Sequence, residues 1–442
     1  MGLLSVEAAL QVRLLPAQFK EVYVFGQAVI HQKFRPCSTA REVMLRVPSN
    51  PTTVIFHDNF AQMGGAERVA EALHQAFPGA DLMTTLSVTE RLSTYLKGRT
   101  ITATWMQHLP AKARLFRWYF LIYPFAIESV NLNKYDVVLT SCFGYAKGVK
   151  RRKDALHICY CHTPMRWIWR TSDYLEREGI NGWKRRLLML TLKPLKAWEI
   201  RAAKRPDFYI ANSQEVARRL RDAFGVDSTV INPPIETQRF SISPEVDDYY
   251  LILSRLIPYK RIDLAVEACR RTCRQLKVVG VGRDIKRLRA MAGPTIEFLG
   301  RQSDEAVAQL ISRCQALIFP GEEDFGMALL ETNAAGRPVV AFKGGGALET
   351  IMPGLNGLFF QEATVESLMA SLDSFEGMQW QPANIRAHSE KFDIEVFRQR
   401  IREFIQSASE IQGRTTIGHC AVLNPMSLPT LIEAKQAKLA KP

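Results

Sequence analysis

The stretch Thr53-Val54-Ile55-Phe56-His57-Asp58-Asn59-Phe60-Ala61-Gln62-Met63-Gly64-Gly65-Ala66-Glu67-Arg68-Val69 decides the fold. Residues 53–57 form a short apolar run rich in β-branched and aromatic side chains, as expected of a strand buried on both faces. A Gly64-Gly65 turn follows. Val69, Leu73 and Phe77 then recur on one side of a helix expected from Ala66 to about Phe77. Strand, glycine-rich turn and helix form the opening unit of a doubly wound parallel sheet.

Working outward, strands are expected at 135–140, 155–160 and 207–211. Asn212-Ser213 caps a helix running to about Phe224, and Gly225 stops it. Asn232-Pro233-Pro234 reads as a linker. Beyond it, strands at 250–254, 276–281, 296–299, 316–319, 338–342 and 357–360 alternate with helical patterns. The rhythm predicts an α/β chain of two Rossmann-like, doubly wound domains facing across a cleft. Residues 1–50 form an extension without that rhythm. Residues 51–236 are the N-terminal domain and 237–390 the C-terminal one. Residues 391–411 hold a closing helix and 412–442 a loose tail. Ligands in such sheets bind outside the carboxyl ends of the strands.

The chain has 442 residues and a net charge of +14. Between Pro110 and Arg205 there are 20 Lys and Arg against 7 Asp and Glu, a difference of +13. Such a balance favours an anionic partner. The eight Cys form no CxxC pair and read as buried free thiols of a reducing compartment. Cys161 beside His162 lacks a second ligand cluster at metal-binding spacing. The longest apolar run, Trp118 to Ile127, is too short to span a bilayer, which takes roughly 20 residues. Glu7 and the lack of Lys or Arg before Arg13 argue against a signal peptide, so a cytoplasmic location is expected.

Three loops carry candidate chemistry. Ser254-Arg255-Leu256-Ile257-Pro258-Tyr259-Lys260 follows a strand and places two cations on a Pro-constrained loop, a pattern suited to a diphosphate. Two solvated surface cations would give the same pattern. Gly321-Glu322-Glu323-Asp324-Phe325-Gly326-Met327-Ala328-Leu329-Leu330-Glu331 also follows a strand and leads into a helix. On one continuous helix Glu323 and Glu331 would lie about 12 Å apart, beyond the spacing of a glycosidase pair and better suited to the two ends of one ligand. Lys343-Gly344-Gly345-Gly346, like Gly64-Gly65, allows close approach to anionic oxygens at a helix start. Gly280-Val281-Gly282 begins a dinucleotide fingerprint, but Ile285 stands where its third glycine belongs, which argues against a nicotinamide cofactor. His162 at a strand end is either structural or faces the cleft.

Taken together, Gly64 to Glu67, Tyr209 to Ser213, Arg255 to Lys260, Glu323 to Glu331 and Gly344 to Glu349 resemble the GT-B retaining glycosyltransferases of family 4, over about residues 51–408. The resemblance implies that Arg255 and Lys260 neutralise the donor diphosphate. It implies that Glu323 holds donor-sugar hydroxyls and Glu331 the ribose, with Gly326 and Met327 offering backbone groups. Gly64 and Gly65 would approach the diphosphate from the other domain, and His162 would contact the sugar. Many members have Gly where this chain has Asp324. Cys161-His162-Thr163-Pro164-Met165-Arg166 is most similar to bacterial mannosyltransferases of O-antigen or exopolysaccharide synthesis, which implies GDP-mannose as donor and a polyprenyl-diphosphate-linked acceptor.

Family members retain anomeric configuration. No nucleophile stands out here, so same-face displacement is expected, with no cofactor and no metal beyond the nucleotide-sugar substrate. Lys112, Arg114 and Arg117, the cluster Lys147, Lys150, Arg151, Arg152 and Lys153, and the stretch Trp183 to Leu188 suit docking on the anionic inner face of the cytoplasmic membrane. The rivals are a UDP-sugar-dependent transferase, an epimerase or phosphorylase on the same scaffold, and a basic nucleic-acid-binding protein. The acidic group at 322–324 in the expected cleft argues against the last.

Overall fold

The computed structural model describes residues 51–169, 171 and 182–417. Two all-parallel sheets organise them. The first contains β1 (Thr53–His57), β2 (Asp81–Thr84), β3 (Ile101–Ala103), β4 (Val137–Cys142), β5 (Leu156–Cys161), β6 (Phe208–Ala211) and β7 (Thr229–Val230), in the order β3-β2-β1-β4-β5-β6-β7. The second contains β8 (Tyr250–Leu253), β9 (Leu276–Val279), β10 (Ile296–Gly300), β11 (Leu317–Phe319), β12 (Val339–Phe342) and β13 (Gly357–Phe360), in the order β10-β9-β8-β11-β12-β13. Both orders reverse direction once, between β1 and β4 and between β8 and β11. Each reversal opens a crevice at the carboxyl ends of adjacent strands.

The central strands β4 and β5 are buried along their whole length, which is why they read as apolar runs. Each sheet is covered on both faces by apolar clusters. The helix Ile394–Ile417 continues past residue 411, where it was expected to end, and inserts Phe397, Ile401, Phe404, Ile405 and Ala408 among Ile55, Leu73 and Tyr160 of the first sheet. The chain therefore leaves the second sheet and closes on the first. Ile235 N–H donates to Phe392 O at 3.0 Å, so the linker and the returning segment run side by side. The expected extension at 1–50 and the tail beyond 417 lie outside the described residues. Among the described residues Cys142, Cys159, Cys161, Cys269 and Cys314 are buried free thiols, and Cys273 is exposed.

Candidate active site between the two sheets

The loops leaving β8 and β11 meet at the second sheet's reversal. Ser254, Lys260 and Ile262 from one side and Pro320, Gly321 and Glu323 from the other line a small pocket there. Pro258 opens a single 3-10 turn, Pro258–Lys260, that aims Lys260 inward. A Cβ on Gly321 would lie 2.8 Å from Lys260 Cα, so only glycine lets the two loops approach this closely. Lys260 Nζ contacts the Glu323 carboxylate, with the two side chains 9% and 26% exposed. Burial, reinforced by the Arg255 and Arg166 guanidiniums, pushes the Lys260 ammonium well below its usual range, while Asp324 acts the other way. The Glu323 carboxylate in contact with Nζ also favours the charged form. Arg255 is exposed and donates from Nη2 to Tyr259 Oη at 3.4 Å. A ligand at this pocket thus meets Lys260 and Glu323, with the Arg255 guanidinium near enough to act on Lys260.

Gly326, at φ +89°, turns the chain into the helix Met327–Ala334. Glu323 therefore precedes this helix and Glu331 lies within it. The run Gly344–Gly346 does not form the open anion cradle expected of it. A Cβ on Gly345 would overlap Glu323 O and one on Gly346 would overlap Phe325, and Gly346 N–H donates to Glu323 O at 2.9 Å. These glycines instead hold the acidic loop in shape. Gly280 and Gly282 have a parallel role, since side chains there would overlap Ser254 O and Leu256 O of the Arg255 loop.

The first sheet supplies the facing wall. The Gly64-Gly65 turn opens the helix Gly65–Ala76, and Glu67 Oε2 accepts the Gly64 N–H at 2.8 Å. That bond occupies one donor that an anion would otherwise use. A Cβ on Gly65 would lie 3.1 Å from Met327 Sδ, so the glycine turn abuts the start of the opposing helix. Gly64, Gly65, Gly326 and Met327 are thereby brought together as expected. At the first sheet's reversal, Ser141 Oγ bonds His57 Nδ1 at 3.0 Å and His162 Nε2 at 2.8 Å. Burial pushes His162 down to about 3, with Asp324 opposing, so its imidazole is neutral at pH 7. His57 is pushed well down by burial and then by His162. Burial thus favours the neutral form of both rings, and His162 offers a hydrogen-bonding group at the end of β5.

The sequence reading missed the charged bridges between the domains. Arg68 pairs with Glu331 and with Asp304, each at 3.1 Å. Arg166 and Arg219 both pair with Asp324. Glu349 accepts the Gln214 N–H at 2.7 Å, at the start of the helix Gln214–Phe224. Arg166 follows a loop fixed from behind: Glu199 accepts the Met165 N–H at 3.1 Å and pairs at 2.8 Å with Lys147, both side chains being fully buried.

That pair corrects the expected basic cluster. Lys147 is core, Lys150 pairs with Glu128, Arg151 with Asp207, and Arg152 with Asp136 and Asp154. Lys147 thus leaves the expected surface cluster, Arg151 and Arg152 are half-buried in ion pairs, and Lys150 and Lys153 remain exposed. The segment around the Trp118–Ile127 run does expose Leu115, Trp118, Leu121 and Phe125, with Trp118 75% and Phe125 70% accessible. The helix Gly182–Ala202 exposes Met189 and Leu190. The side chains of 183, 184, 187 and 188 lie outside the described residues. Among the described residues no group of three His, Cys, Asp or Glu is placed to hold a metal, and no helix is long and apolar enough to cross a membrane.

Residues 63–239 match the model of Glycosyltransferase Family 4, and residues 234–392 that of Glycosyl transferases group 1. A GDP-mannose-dependent monoacylated alpha-(1-6)-phosphatidylinositol monomannoside mannosyltransferase of Corynebacterium glutamicum is 29% identical over 232 residues, 44% of this chain and 61% of that protein. An uncharacterized glycosyltransferase of Methanocaldococcus jannaschii is 26% identical over 37% of this chain and 49% of its own length. The human alpha-1,3/1,6-mannosyltransferase is 26% identical over 62% of this chain and 73% of its own. The chain thus spans about half to three fifths of the first two relatives. In fold it is similar to Anabaena HepE, crystallised with UDP and glucose, at TM-score 0.60 and 17% identity, covering 81% of this chain and 100% of that one. It is also similar to sucrose-phosphate synthase of Thermosynechococcus elongatus, at TM-score 0.63 and 16% identity, with the same coverage.

Proposed function

The chain is a GT-B glycosyltransferase of the family 4 kind, and from that premise we propose that it transfers mannose from GDP-mannose, with retention, to a polyprenyl-diphosphate-linked glycan at an anionic membrane surface. The observation that carries the donor reading is the meeting of Lys260 and Glu323 in one pocket at the reversal of the second sheet, with the Arg255 guanidinium acting on Lys260 and the Gly64-Gly65 turn of the first domain abutting Met327. Support for the mannosyl donor comes from relatives named as GDP-mannose-dependent. Cleaving the anomeric bond builds negative charge on the leaving diphosphate. Lys260 and Arg255 oppose that charge more strongly in the transition state than in the ground state. Glu323 holds donor-sugar hydroxyls, Glu331 the ribose, and neutral His162 the sugar from the opposite wall. The acceptor oxygen attacks the face that the diphosphate leaves, and a leaving phosphate oxygen takes its proton. In this reading side-chain cations carry the charge and no metal is assigned.

The acceptor side rests on the exposed Leu115, Trp118, Leu121 and Phe125 beside Arg114 and Arg117, in the stretch that holds nearly all the excess positive charge. Incubation with GDP-[14C]mannose and bacterial polyprenyl-linked lipid tests the proposal. Label entering the lipid fraction, unaffected by EDTA, is the expected result. Transfer from UDP-glucose but not from GDP-mannose would overturn the donor assignment.

A further inference from the structure

Asp324, where many members of the resembled family have glycine, ties the second domain to two arginines of the first. Its carboxylate pairs with Arg166, just past β5, and with Arg219, on the helix Gln214–Phe224. These two arginines come from different elements of the first domain. Arg219 is itself steadied by Glu215 at 2.8 Å, and its side chain is 13% exposed. Arg166 lies 5.7 Å from the Tyr259 ring of the cationic loop, and its Nε hydrogen is buried without an acceptor. The next residue back along the chain is Glu323, whose carbonyl is already held from the other side by Gly346 N–H.

From this arrangement we propose that Asp324 is a positioning residue, an interdomain strut through which Arg166 and Arg219 set Glu323 against Lys260 when the domains close. The proposal rests on the reading of Glu323 as the group that holds the donor sugar. Glu323 is fastened at its carbonyl to the second domain and, through its neighbour, to the first. Its carboxylate is therefore fully placed only when the first domain is docked. Opening the cleft frees Asp324 from both arginines and slackens the loop. Family members with glycine at this position have no side chain there to act as such a strut. Arg166 also lies between Asp324 and Tyr259, so the same movement joins the acidic loop to the Arg255 loop.

The test uses the full chain with Asp324→Asn, Asp324→Gly, Asp324→Glu, Arg219→Gln and the Asp324→Asn/Arg219→Gln double variant. Loss of a paired, charge-assisted hydrogen bond predicts a kcat roughly tenfold to a hundredfold lower in Asp324→Asn, with the donor KM changed less than about threefold. Asp324→Glu recovers part of the loss. The loss in the double variant is far smaller than the product of the two single losses, because both substitutions break the Asp324–Arg219 pair, while Asp324 also holds Arg166 and Arg219 also reaches Glu322 at 3.4 Å. A kcat within twofold of the parent for Asp324→Asn, or losses that multiply in the double variant, would overturn the proposal. Small-angle scattering of the ligand-free proteins separates it from the donor assignment. Asp324→Gly is expected to give a larger radius of gyration than the parent, whichever nucleotide sugar the enzyme uses. Identical radii with unchanged melting temperatures would sink the strut even if GDP-mannose proves to be the donor. A larger radius together with no use of GDP-mannose would uphold the strut and discard the donor.

Discussion

Replacing Lys260 by alanine tests the donor site most severely, because the structure gives that side chain two tasks. Its Nζ contacts Glu323, and the pair is largely withdrawn from water, at 9% and 26% exposure. Removing the ammonium leaves the Glu323 carboxylate without that partner, which costs about 1.5–3 kcal/mol for a charge-assisted bond. It also removes one donor aimed at the charge building on the leaving phosphate, worth about 2.7–4 kcal/mol by comparison with a lost oxyanion-hole donor. These effects share one group and do not add in full. The larger alone predicts a fall in kcat/KM of roughly 100- to 1000-fold. Lys260→Ala also breaks a largely buried pair, so a lower melting temperature is expected alongside the kinetic loss, and the melt shows whether the protein stays folded at the assay temperature. The assay is single-turnover transfer from GDP-[14C]mannose at saturating acceptor, with a thermal melt as control. A Lys260→Ala enzyme within threefold of the parent, with an unchanged melt, would refute the assignment of Lys260 to the leaving group.

Glu323→Gln keeps the shape of the side chain and removes its charge, and should lower kcat by about 100-fold with little change in melting temperature, measured in the same assay. Gly280→Ala forces a Cβ onto Ser254 O at φ +136° and should destabilise the protein by about 2 kcal/mol or more in urea titration, while weakening donor binding through the Arg255 loop. His157 is fully buried, and burial pushes it down to about 3 in the folded chain, with Arg151 acting in the same sense. The unfolded chain therefore binds the extra proton between about pH 6.5 and 3, so stability falls as pH drops through that window. His157→Gln should flatten the slope of unfolding free energy against pH by up to about 1.4 kcal/mol per unit. The paired change Trp118→Glu and Phe125→Glu should abolish sedimentation with anionic liposomes while leaving transfer to a water-soluble acceptor analogue intact. Sedimentation equal to the parent's would rule out this face as the membrane contact.

The central strands were legible because burial on both faces leaves an uninterrupted apolar signature. Thr53–His57 and Gly357–Phe360 match their expected bounds, and β4 and β5 are shifted by one or two residues. Asp81–Thr84, Ile101–Ala103 and Thr229–Val230 escaped the reading. They are short and lie toward the sheet margins, where one face or one end is open and the apolar run is cut. The loops holding Arg255, Lys260 and Glu323 were legible because each follows a buried strand within a few residues, and Glu331 because the helix Met327–Ala334 follows directly from the acidic loop. Gly344–Gly346 was recognised as a place of close approach, but the partner is the acidic loop, with Glu323 against Gly345 and Phe325 against Gly346, which no local pattern reveals. The bridges from Arg68 and Arg219 span 263 and 105 residues of sequence, so they exist only once the two domains are docked. Lys147 read as part of a surface cluster because its partner Glu199 lies 52 residues away, in a helix whose position the sequence did not indicate.

Calorimetric titration of the purified protein with GDP-mannose, UDP-glucose and UDP-N-acetylglucosamine, with EDTA present, measures donor choice at the Lys260 pocket. GDP-mannose is expected to bind in preference to the other two, and Lys260→Ala to lose that binding. Binding of no donor until a divalent metal is added, or GDP-mannose binding unchanged in Lys260→Ala, would contradict the donor assignment.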